Sequence, residues 1–154
     1  MNIRLSAIGA ALVVLVSCHK TPQPNEIPPR NLFQGTVSVD YEGGVVDNPD
    51  IQVAYMPGQD GKEADIIIYK IKFVPRMPVR IDVTIPAVKV LEADERVQLS
   101  CNNVIPLALG GEYPKYNVTD LSGTLEGDVL SFSLNFGAYP TRFTGRRVTG
   151  SAPR

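Results

Sequence analysis

The chain of 154 residues contains no tryptophan, one histidine and two cysteines, and its charges nearly cancel, with fifteen Lys and Arg against sixteen Asp and Glu. Each shortage excludes something. A formal net charge of −1 excludes a strongly basic nucleic-acid binder. The single histidine, His19, stands close to the N-terminus. The chain beyond it therefore has no imidazole to activate a Ser or Cys nucleophile, and none to ligate a metal. Helical spacing is missing as well: no ten-residue stretch of the body runs without Gly, Pro or β-branched crowding. Repeats of 20–50 residues are absent. What is present is 44% hydrophobic residues, too many for a wholly disordered chain, and thirteen Gly with thirteen Pro, which suit a turn-rich β protein. The length suits one domain.

The one long apolar run is N-terminal. Arg4 supplies a positive start, and Leu5 to Val16 is interrupted only by Ser6 and Gly9. Twelve such residues are too few to span a bilayer as a permanent helix, which needs about 20. The run ends in Leu15-Val16-Ser17-Cys18, which resembles the bacterial lipobox: an aliphatic residue, a small residue before the scissile bond, and a thiol to take the diacylglyceryl group. Residues 1–17 are thus expected to be a lipoprotein signal peptide, with Cys18 the lipid attachment site and the membrane a partner through its acyl chains. Lipidation of Cys18 leaves Cys101 without an intrachain partner. In Val97-Gln98-Leu99-Ser100-Cys101 it falls on the apolar side of an alternating strand, so burial is expected.

Residues 18–31 contain HKTPQPNEIPPRN after the cysteine, with four prolines and Ile27 as the one aliphatic residue; they are expected to be a Pro-rich tether of polyproline II character. From Leu32 to Val148 the period is two. Thr36–Tyr41, Ile51–Met56, Asp65–Val74, Val79–Val90 (bent or interrupted at Pro86), Arg96–Cys101, Val118–Leu125, Leu130–Phe136 and Thr141–Val148 give eight strands. Glu42-Gly43-Gly44, Gln59-Asp60-Gly61-Lys62 and Glu126-Gly127-Asp128 are short hairpin loops. Connections this short favour an all-β, antiparallel up-and-down barrel, with a β-sandwich as the alternative. Residues 149–154 form a C-terminal tail.

Four stretches carry a family resemblance: Phe33-Gln34-Gly35-Thr36, Ile85-Pro86-Ala87-Val88-Lys89-Val90, Leu121-Ser122-Gly123-Thr124-Leu125-Glu126-Gly127-Asp128-Val129-Leu130, and Phe143-Thr144-Gly145. In these the chain resembles the calycin-like β-barrel domain of Gram-negative envelope lipoproteins, departing from it where Val79-Arg80 replace a glycine after Met77-Pro78. The resemblance implies a lipocalin-like fold and no established activity.

The chemistry that remains is sparse. Asp40 with Glu42, Asp47 with Asp50, and Glu92 with Asp94 and Glu95 all fall at turns. None suggests the two facing carboxyls of a glycosidase. Asp47/Asn48/Asp50 and Asp60/Glu63/Asp65 lack EF-hand spacing for calcium. No phosphate-binding glycine loop opens a helix. No catalytic residue, metal or cofactor is expected. Arg142, Arg146, Arg147 and Arg154 cluster towards the C-terminus, where they either meet phosphates or protect strand edges. Tyr55, Tyr69, Phe73, Phe132 and Phe136 are expected to point inward, either filling the barrel or lining a cavity for a small apolar ligand. The expected protein is a monomeric, non-catalytic binding module, anchored to the outer membrane on its periplasmic side. It holds an apolar ligand or, with a packed barrel, docks an envelope protein.

Overall fold

The computed structural model describes residues 21–148; residues 1–17, expected to be a signal peptide, with Cys18, His19, Lys20 and the tail 149–154 with Arg154 lie outside them. Ten strands follow in chain order: β1 (Leu32–Tyr41), β2 (Gly44–Pro57), β3 (Glu63–Ile71), β4 (Ile81–Ala93), β5 (Arg96–Cys101), β6 (Leu107–Ala108), β7 (Gly111–Glu112), β8 (Val118–Glu126), β9 (Val129–Phe136) and β10 (Tyr139–Arg147). Eight of them form a closed antiparallel barrel in the order β3-β2-β1-β10-β9-β8-β5-β4, with β4 returning to pair with β3. Each barrel strand lies beside its neighbour in sequence, and β10 closes on β1. The β6–β7 hairpin sits outside this circuit, with β6 on the edge of β4.

Local sequence explains the meander. In β9, Leu130, Phe132, Leu134 and Phe136 are buried while Ser133 between them is exposed, so a period of two selects the face. Two-residue turns at Glu42-Gly43, Asp94-Glu95, Gly127-Asp128 and Gly137-Ala138 reverse the chain between paired strand ends. Gly35 and Gly145 face each other across β1 and β10. A methyl group on Gly35 would overlap the Thr144 carbonyl, and one on Gly145 the Phe143 ring and the Gln34 carbonyl. This close approach gives the Phe-Gln-Gly-Thr and Phe-Thr-Gly stretches a shared physical meaning: they form the seam where the barrel closes.

Bulges supply the remaining curvature. Lys70 and Ala87 both adopt left-handed backbone, at φ 62° and 58°. The Lys70 amide donates to Asp82 Oδ1 (3.0 Å), and the Ala87 amide to Asp65 Oδ1 (3.1 Å). Two carboxylates, one from each strand, thus stabilise two bulges across the β3–β4 pair. Pro86 sits in the second bulge, where the ladder is already interrupted, so β4 bends there without ending.

The core has two parts. Inside the barrel, Phe33, Val37, Val53, Tyr55, Ile66, Ile68, Ile71, Val83, Ile85, Leu99, Cys101, Phe132, Phe136 and Phe143 belong to one continuous apolar cluster. Outside it, Leu32, Ala54, Ile67 and Tyr69 form a second cluster, covered by Ile27. The expectation of an extended tether is corrected here for residues 21–31. Two short 3-10 turns, Pro24–Glu26 and Pro29–Asn31, carry this segment across the outer face of the barrel. Gln23 and Glu26 close the first turn on each other, and the lone aliphatic side chain of Ile27 is 6% exposed. Polyproline bias yields because one well-placed apolar residue finds an apolar patch on the sheet.

Candidate functional site

The five aromatic residues expected in the lumen divide. Tyr55, Phe73, Phe132 and Phe136 lie in the inner cluster. Tyr69 lies outside: its ring packs with Ile27, Leu32, Ala54 and Ile67, and its hydroxyl donates to the Pro22 carbonyl at 2.7 Å. The reason is the bulge at Lys70. Before it, Ile66 and Ile68 point inward and Ile67 and Tyr69 outward; the extra residue then turns Ile71 and Phe73 inward. Burial, with smaller contributions from the Asp82 and Glu26 carboxylates, pushes the Tyr69 phenol up to about 12.

Aromatic packing closes one end of the lumen. Phe73 stacks on Tyr116 at 4.3 Å between ring centres, meets Phe136 edge-on at 5.2 Å, and lies 5.5 Å from Tyr139; Tyr113 stacks on the outer side of Tyr116 at 4.9 Å. Such pairs contribute about 0.5–1.5 kcal/mol each beyond the area they bury. Farther inside, Phe132 and Phe143 lie 5.3 Å apart. Asn48, a buried polar residue, donates to the Val37 and Lys72 carbonyls and accepts from the Lys72 amide and Arg80. Cys101 is buried and free, and burial raises its thiol pKa to about 11, which keeps it protonated and unreactive at neutral pH.

Several depressions among the described residues are lined by outer faces and rims. One is a groove of about 350 Å³ between the end of β3, the start of β4 and the β6–β7 hairpin. Its walls include Thr21, Val79, Leu107 and Leu109 with Lys70, Arg80 and Asp82. Arg80 is held in place, donating through Nη1 to Asn48 Oδ1 and to the Lys70 carbonyl, each at 3.2 Å. Val79 and Leu109 are 58% and 69% exposed. The sequence pattern gives Val79 and Arg80 to a strand and assigns Leu107–Leu109 to no element. The available signal was Leu107-Ala108-Leu109, apolar residues with no alternation running into Gly110-Gly111.

Several other charged candidates are engaged structurally. Arg142 makes a two-pronged contact with Asp40 (3.2 and 3.3 Å). Arg147 pairs with Asp128 at 3.0 Å, donates to the Gly127 and Arg30 carbonyls, and lies 4.9 Å over the Phe33 ring. Of the expected arginine cluster, Arg146 projects into solvent on the same face as Arg142. Asp47 accepts from the Ser38 hydroxyl and Asp60 from the Lys62 amide, so these carboxylates serve turns and strand pairs. No family model, curated protein or solved structure matches the chain.

Proposed function

We propose that this chain is a lipid-anchored envelope lipoprotein of the calycin-like kind. It acts as a non-catalytic, monomeric interaction module that works through its outer surface rather than through a ligand in its lumen. The observation that carries this reading is the contrast between the two places where an apolar partner could be received. The barrel interior holds one continuous apolar cluster, covered at one end by Phe73, Tyr116 and Phe136, whereas the groove at Val79 and Leu109 is open. Opening the lumen for a ligand would sacrifice several large side-chain contacts, each worth about 3–5 kcal/mol for a buried Phe. That loss offsets the roughly −8 kcal/mol of a micromolar ligand.

The address rests on Leu15-Val16-Ser17-Cys18. The periplasmic side of the outer membrane is supported by the sequence after the cysteine, His19-Lys20-Thr21-Pro22-Gln23, which has no acidic surface-export run. Mass spectrometry of the mature N-terminus tests the address. It should find Cys18 first and acylated, and Cys18→Ala should leave unprocessed precursor or a soluble chain. A mature protein that begins elsewhere, or lacks acyl chains, rejects the anchor.

A further inference from the structure

We propose that the groove between the end of β3, the start of β4 and the β6–β7 hairpin is a bilayer-docking face, setting Leu109 and Val79 into the lipid interface with Lys70 and Arg80 at the phosphates. The inference rests on the reading of Cys18 as the lipid attachment site. Thr21, in the groove wall, is three residues from Cys18. Three residues of fully extended chain span at most about 11 Å. Residues from Pro22 onward are bound to the barrel through Tyr69 and Ile27, so they cannot lengthen the leash without breaking the outer cluster. A barrel fastened this closely must turn the groove end towards the head groups.

That end has the composition an interface favours. Val79 and Leu109 are large apolar side chains standing mostly in solvent, the first just before β4 and the second in the β6–β7 hairpin. Leu107 and Ala108 add to the apolar wall. Lys70 and Arg80 exceed the one carboxylate in the wall, Asp82, whose Oδ1 is already engaged by the Lys70 amide. Apolar tips with adjacent cations suit anionic lipid head groups: the tips enter the acyl boundary while the cations meet phosphate. The acyl anchor supplies a high effective concentration, so a small patch suffices.

The test uses the full lipidated protein in vesicles of phosphatidylethanolamine and phosphatidylglycerol. An environment-sensitive dye is attached to Leu109→Cys, Val79→Cys or, at the opposite end of the barrel, Leu91→Cys, all of them exposed positions. Buried Cys101, with its raised pKa, stays unlabelled at neutral pH. Docking predicts blue-shifted emission at 109 and 79 and water-like emission at 91. Lys70→Gln should lower the ratio of docked to undocked protein roughly fivefold, the effect of one basic residue at an anionic surface. Water-like emission at all three positions, in protein whose Cys18 acylation is verified by mass spectrometry, overturns the docking face and leaves the anchor standing. Absence of acyl chains on Cys18 overturns both. Shielding of Leu109 in native envelopes but not in protein-free vesicles would identify a protein partner and reject the lipid surface.

Discussion

Strand β3 is buried on both sides, and its two faces do different work. Ile66 and Ile68 point into the barrel, where they join a cluster that reaches every barrel strand. Ile67 and Tyr69 point away, into a patch closed by the segment from Thr21 to Asn31. The inner face is enclosed by the barrel; the outer face is covered by a strap that is fastened at Ile27, at the Tyr69 hydroxyl and at the Arg147–Arg30 contact. The same chemistry, apolar burial, thus builds one face enclosed by the whole barrel and another covered by a single short segment. A strap of this kind controls how far the barrel stands from anything attached upstream of Thr21.

The largest difference should appear on truncation of the inner face. Phe132→Ala is expected to destabilise the fold by about 3–5 kcal/mol, much of a small domain's total, measurable by urea unfolding. Ser133→Ala, on the exposed side of the same strand, should change stability by less than about 0.5 kcal/mol. Equal effects at 132 and 133 would contradict the assigned faces. On the outer face, Ile27→Ala should reduce stability by about 2 kcal/mol, near the low end for such truncations, because the strap can relax away from the site. Hydrogen exchange should show the loss concentrated at Ile27 and its neighbours rather than in β9. Loss spread evenly over the barrel would mean that strap and barrel unfold as one unit.

Smaller effects sharpen the same contrast. Tyr69→Phe removes one hydrogen bond to the Pro22 carbonyl and should weaken strap protection by about 1 kcal/mol. The phenol also gives the strap a pH dependence. Its folded pKa of about 12 lies above the ordinary value of 10, so the folded state holds the proton more tightly. The stabilisation is complete below pH 10 and is lost as pH rises through about 12. Strap protection in the wild type should therefore fall across that window, and Tyr69→Phe should lack that component. The exposed Arg142–Asp40 pair should contribute least, within about 1 kcal/mol in a double-mutant cycle.

Much of the barrel was legible because its signals are local. Alternation in Leu130–Phe136, the turn at Gly127-Asp128, the interruption at Pro86 and the apolar parity of Cys101 each depend on a few adjacent residues. The reversal of parity at Lys70 is different. A lysine in left-handed backbone is held there by the Asp82 carboxylate, twelve residues away, and Ala87 likewise by Asp65, twenty-two residues away. Nothing beside Lys70 in the sequence announces the bulge, so Tyr69 and Phe73 read as one face. A clue did exist in Ile66-Ile67-Ile68-Tyr69: an unbroken apolar run marks a strand covered on both sides. The strap follows from that clue only when Ile27 is recognised as its cover. The groove was least legible, since it joins residues from β3, β4 and the β6–β7 hairpin that share no motif.

If the lumen is occupied by the protein's own side chains, partners are met on the outside. Methyl-resolved NMR during titration with a long-chain fatty acid tests it most directly, with Leu130, Leu134 and Ile85 reporting from the lumen and Leu107 and Leu109 from the groove. The lumen methyl signals should stay in place while any saturable shifts appear at Leu107 and Leu109. Saturable, one-to-one shifts at Leu130, Leu134 and Ile85, from a barrel that remains folded, would contradict it.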